Sequence, residues 1–141
     1  MTTIDFYFNA EDRLQLACRL AGKAVTQGKR LLVWAPQAGS AHKLDRMMWS
    51  TPAIGFVPHC MAQDALARET PVLISAGETE PQGCGILLNL GEECPPSFER
   101  FDRLLEVVSR SDEERQLARK RYRFYRDRGY AITDHDLATG S

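Results

Sequence analysis

Residues Leu31–Ala35 read LLVWA, an apolar run with no polar break, and they come directly after a stretch of helical periodicity. A strand with one face in water alternates apolar and polar residues. A run without alternation is buried on both faces, as in a parallel strand with helices above and below it. Ahead of it, Leu14, Ala17, Leu20, Ala21, Ala24 and Val25 fall on one stripe of a 3.6-residue period, and Gln27-Gly28 supplies the stop. Thr3–Phe8 (TIDFYF) is β-prone, and Asn9 is placed to cap the helix, with Glu11 and Asp12 in its first turn. The chain thus opens as strand, helix, buried strand, which commits it to α/β layering.

The same rhythm continues. Pro36–Ser40 turns the chain into a second helix carrying Leu44, Met47, Met48 and Trp49, ended by Ser50-Thr51-Pro52. Ile54–Met61 is apolar but contains Pro58, which makes it a loop or a short edge piece. Gln63–Arg68 reads as helical turns. Val72–Ala76, Ile86–Leu90 and Leu104–Val108 read as strands, separated by the turn-rich segments Gly77–Gly85 and Gly91–Ser97 and a helical turn at Phe98–Arg103. Ser111-Asp-Glu-Glu114 is a capping box opening a last helix, Asp112–Arg128, which Gly129 closes. The expectation is one three-layer α/β domain over residues 1–130, with a mostly parallel sheet of about five strands flanked by helices. Residues 131–141 read as a polar, frayed tail.

Composition removes several classes of function. The 141 residues suit one domain, and 43% apolar with 26% charged residues is the profile of a soluble globular chain. Eighteen Lys+Arg against nineteen Asp+Glu leave a net charge of -1, which argues against coating nucleic acid by bulk charge. No apolar run reaches the roughly 18 residues a membrane span needs. Met1-Thr-Thr-Ile-Asp lacks the basic and apolar regions of a signal peptide, so no membrane and a cytoplasmic location are expected. Cys18, Cys60, Cys84 and Cys94 form no C-x-x-C and read as reduced thiols, with neither metal nor cofactor implied. The loop Phe8–Asp12 has two acids and no glycine, and Pro36–Ser40 has one glycine with no Lys-Ser/Thr after it, so neither cradles a phosphate. His59-Cys60 reads as a packed cysteine beside a surface histidine, because neighbours on an extended segment face opposite ways. His42 and His135 lack partners at metal spacing, and Ser40 lies in no nucleophile elbow. The reading is a protein that is not an enzyme.

The last helix carries more information. Arg115, Arg119, Lys120, Arg121, Arg123, Arg126 and Arg128 face a single acid, Asp127, within that stretch. Arg115, Arg119 and Arg123 recur at i, i+4 and i+8 on one face, and Tyr122 lies beside them. Guanidinium forks next to an aromatic ring suit carboxylates or phosphates. The plainer alternative is a solvated face whose cations complement the helix dipole. Trp49 at a helix end and Phe56 in a Pro-flanked loop are either interface residues or a roof on the core.

These segments carry a family resemblance. The Phe6-Tyr7 strand, Gly28-Lys29-Arg30, L-D-x-x-x-W at Leu44–Trp49, F-V-P-H at Phe56–His59 and Q-L-A-R-x-R-Y-x-x-Y-R at Gln116–Arg126 follow one another in this order. In this the chain resembles the chi subunit of bacterial DNA polymerase III holoenzyme. The resemblance implies a Rossmann-like fold without a working phosphate loop and an accessory role in DNA replication on the clamp-loader side of the polymerase. It implies binding to the acidic, phenylalanine-ended C-terminal tail of the single-stranded-DNA-binding protein. It also implies a link to the clamp loader, through a psi subunit where one exists, with DNA met mainly indirectly. Carried over residue by residue, the pocket wall falls on Trp49, Phe56 and Val108, and the basic positions on Arg115, Arg119 and Arg123, with Tyr122 beside them. Arg119 would fork onto the terminal carboxylate, while Arg115 and Arg123 attract the acids upstream. The expectation is that an indole, a benzyl group and these guanidinium groups converge in one open notch. The alternative is direct single-stranded nucleic-acid binding by the same helix, with the ring stacked on a base and the arginines on phosphates.

Overall fold

The structure is a computed structural model that describes residues 1–37, 39–50, 57–77, 79–81 and 83–139. Its strands are β1 (Thr3–Ala10), β2 (Leu31–Trp34), β3 (His59–Met61), β4 (Val72–Ser75), β5 (Ile86–Asn89), β6 (Arg103–Ser109) and β7 (Ile132–Asp136). The helices are α1 (Arg13–Thr26), α2 (Ser40–Ser50) and α3 (Asp112–Asp127). All seven strands form one sheet in the order β3-β4-β2-β5-β6-β1-β7, and every pairing is parallel. The α/β class and the parallel sheet are as the sequence predicts, but the strands number seven rather than five.

The run Leu31–Trp34 lies at the centre and is buried on both faces. Its alternate side chains divide the core in two. Leu31 and Val33 face Ala17, Ala21, Ala41, Leu44 and Met48, so α1 and α2 cover this side. Leu32 and Trp34 face the opposite layer, where Phe6, Leu104, Val108, Ala118 and Tyr125 bring in α3. The Trp34 indole N–H donates to the Gly77 carbonyl at 2.8 Å. Gly91 must be glycine, since a Cβ there would lie 2.6 Å from the Trp34 ring.

The two strands beyond the five expected are the sheet's edges, and β3 falls on the segment read as a loop or a short edge piece. β3 is three residues long and follows Pro58, which cannot donate to a ladder. β7 reads ITDHD because half its surface meets water, so it has no apolar run to betray it. Pairing with β1 from Ile4↔Ile132 to Phe8↔Asp136 gives order to a segment that the sequence marks as frayed. Asn9 helps to hold it there. At φ 64° Asn9 sits where the β1 register shifts, and its amide donates to Asp136 Oδ1 at 2.7 Å. The α1 cap is therefore Asp12 and not Asn9, with Asp12 Oδ1 accepting from the amides of Leu14 and Gln15. Among the described residues no helix is long and apolar enough to cross a membrane.

A chain ending at Tyr130 loses both the β7 ladder and the Asn9–Asp136 bond. Its urea midpoint should fall, and the β1 amides should exchange hydrogen faster than in the full chain. An unchanged midpoint with unchanged β1 protection would mean that β7 contributes nothing to the fold.

Candidate functional site

The site is built on α3, and a buried charge orients that helix. Glu106 in the middle of β6 is fully buried. It accepts from Arg121 Nε at 3.1 Å, from the Tyr125 hydroxyl at 2.6 Å and from Asn89 Nδ2 at 3.0 Å. Arg121 also donates to the Glu92 carbonyl at 2.7 Å. The Tyr125 hydroxyl is held far above the usual phenol range, by burial first and by the Glu106 charge second. Arg121 is thus a pin in the core, 5% exposed, and not a member of the surface comb that the sequence suggests. At the start of α3, Ser111 Oγ accepts from the Glu114 amide, as a capping box requires. Glu114 does not reach back to the Ser111 amide. It accepts from the Ser109 hydroxyl and pairs with Arg13 at 2.9 Å, while Ser109 Oγ takes the Ser111 amide.

With Arg121 and Tyr125 turned inward, the adjoining flank of α3 looks out over β1 and β7. There a groove of about 400 Å³ is lined by Phe8, Val108, Arg115, Arg119, Tyr122, Arg123, Arg126 and Asp134. Val108 is buried and forms part of the floor, and the half-buried rings of Phe8 and Tyr122 lie 6.4 Å apart. The four arginines are exposed. The Tyr122 hydroxyl donates to Asp134 Oδ2 at 3.3 Å. Desolvation raises the Tyr122 pKa, and the Asp134 charge adds to the rise. An apolar floor beneath convergent guanidinium groups can take a ring and an oxyanion together.

Five of the seven sequence-derived positions meet here: Val108, Arg115, Arg119, Tyr122 and Arg123. Trp49 does not. It ends α2 on the opposite layer, 62% exposed, with its ring 4.9 Å from that of His59 on the edge strand β3. From β3 to β1 there are five strand spacings, about 24 Å at the usual separation. Trp49 belongs to a different surface because α2 follows β2 toward the β3 edge, whereas α3 follows β6 toward the β7 edge. Phe56 lies outside the described residues. Sequence reasoning missed Phe8, Arg126 and Asp134. Phe8 shares the face of Phe6, two residues away, and Arg126 follows Tyr122 at i+4, so both left a periodic signal. Asp134 left none, because its strand was not legible. Of the expected pair, Cys60 packs against the α3-side core as expected, but His59 does not lie on the surface. The His59 side chain is fully buried, with Nδ1 2.6 Å from the Val57 carbonyl and Nε2 3.1 Å from Asp45, while Cys60 is half-buried.

A larger crevice of about 560 Å³ opens at the carboxyl ends of the strands, between the starts of α1, α2 and α3. Its hydrogen-bonding groups are largely engaged within the protein. Asp12 and Ser111 cap α1 and α3, and Arg13 is tied to Glu114 and the Val107 carbonyl.

Comparison with known proteins gives the family. The family model described as DNA polymerase III chi subunit, HolC, matches residues 1–133. The DNA polymerase III subunit chi of Pseudomonas aeruginosa is 37% identical over 141 residues, covering 97% of this chain and 98% of the relative. The protein of that name from Escherichia coli is 32% identical over 132 residues (93% and 88%), and that from Haemophilus influenzae 28% over 140 residues (96% and 97%).

The buried pin and the exposed comb should separate in stability measurements. Arg121→Met leaves Glu106 buried without its cation and should cost about 3–5 kcal/mol in urea unfolding. Arg119→Ala, two residues away, should stay within about 0.5 kcal/mol of the parent. Similar costs for the two would remove the distinction.

Proposed function

The chain belongs to the DNA polymerase III chi subunit family, accessory subunits in DNA replication, and on that premise we propose that it is a non-catalytic adaptor binding the acidic C-terminal tail of the single-stranded-DNA-binding protein. The observation that carries this reading is the gathering of Val108, Arg115, Arg119, Tyr122 and Arg123 around one open groove. The terminal phenylalanine ring of such a tail lies on the floor of Phe8, Val108 and Tyr122. Arg119 forks onto the α-carboxylate, and Arg115 and Arg123 attract the acids upstream. Trp49 takes no part, because it faces away at the far edge of the sheet. The link onward to the clamp loader, through a psi subunit or directly, is carried over from the family.

A contact built on one anchor ring and a few exposed ion pairs has micromolar affinity that falls as salt rises. Calorimetric titration with a tail peptide tests it. Arg119→Ala should weaken binding at least about tenfold, the loss of one charge-assisted fork. A peptide lacking its terminal Phe should not bind measurably, and Trp49→Ala should bind as the parent does. An unchanged affinity in folded Arg119→Ala would remove the groove from the reading. Single-stranded oligonucleotide that binds tightly and displaces the peptide would instead favour direct nucleic-acid binding.

A further inference from the structure

The groove's two long walls carry opposite charge. One wall is the arginine comb of α3 and the other is β7. Ile132, Asp134 and Asp136 share one face of β7, since side chains alternate along a strand, and Ile132 packs into the α3-side core. Asp136 is occupied with the Asn9 amide and the Ala138 backbone N–H at the end of the strand. Asp134 is different: it is exposed, it lines the groove, and it lies against the Tyr122 hydroxyl.

We propose that Asp134 is a specificity-determining residue, whose carboxylate keeps anionic groups away from the Tyr122 end of the groove. This rests on the reading of the groove as an acidic-peptide site. A ligand's acids are then confined to the side of the arginines, and its ring, not a second carboxylate, lies beside Tyr122. The same charge acts as a built-in counter-ion to the comb, so the peptide binds less tightly than four arginines alone would allow. A weak, reversible contact follows from a fixed acid on the opposite wall, with no movement of the fold required.

The test is fluorescence anisotropy with the full-length chain and a labelled acidic peptide ending in phenylalanine, at low and high salt. Asp134→Asn should tighten binding about three- to tenfold at low salt, Asp134→Lys should tighten it further, and both gains should shrink at high salt. Glu113→Gln removes the same charge from the exposed first turn of α3, outside the groove, and should change the affinity less than about twofold. The proposal is overturned if the Asp134 variants bind no tighter than the parent, or if Glu113→Gln gains as much. If the parent chain itself fails to bind the peptide, the reading of the groove has failed and this role falls with it. Parent binding with unresponsive Asp134 variants sinks the specificity role alone.

Discussion

A carboxylate buried in the middle of a parallel sheet is expensive unless every lone pair finds a donor, and Glu106 finds them on two neighbouring elements. Asn89 comes from β5, while Arg121 and Tyr125 both come from α3. Four residues separate Arg121 from Tyr125, so the two lie on one side of the helix and the carboxylate holds α3 in rotation as well as in position. Everything α3 presents to solvent follows from that. At about 100° per residue, Tyr122, Arg115, Arg126, Arg119 and Arg123 occupy a contiguous arc of about 100°, starting about 100° from Arg121. That arc is the flank that lines the groove. A rotation of α3 by one residue would carry Arg119 off the groove and bring apolar positions into water.

The sheet then decides what faces the comb. Because β6 leads into α3 and α3 into β7, the strand that closes the groove is the strand the helix delivers, on the far side of β1. Phe8 of β1 supplies floor, and Asp134 of β7 supplies the opposite wall. Arginines on one side and a carboxylate on the other make the groove directional, which a basic patch on an isolated helix would not be.

How much of this the sequence discloses depends on whether a residue's partners lie near it in the chain. The comb was legible, since Arg115, Arg119 and Arg123 repeat with the period of the helix that carries them. The buried strands were legible, since LLVWA has no polar break to accommodate. Arg121 was not, because nothing in RKRYR distinguishes an inward arginine from an outward one until Glu106 is placed fifteen residues away, on another element. β7 was not, because an edge strand half in water carries the composition of a tail. Asn9 and Asp12 are both good caps by residue type, and only the left-handed backbone at Asn9 and its bond to Asp136 settle which of them caps α1. The family likeness supplied the remaining positions as one set, and a set carries no geometry.

That last point decides how Trp49 is to be understood. The family resemblance offered an indole and a guanidinium comb as one set, and nothing in a resemblance places them on one surface. Here topology separates them. The chain leaves β2 toward the β3 edge and leaves β6 toward the β7 edge, with α2 and α3 on opposite layers. A peptide that seats its terminal ring between Phe8 and Tyr122 would have to pass around the sheet's end before reaching Trp49, across about 24 Å of sheet width and through its thickness. A few residues of extended chain, at about 3.3–3.6 Å each, do not make that path. On the proposed reading, a short acidic segment in the groove draws its binding energy from α3, β1, β6 and β7, and the exposed indole has to be accounted for separately.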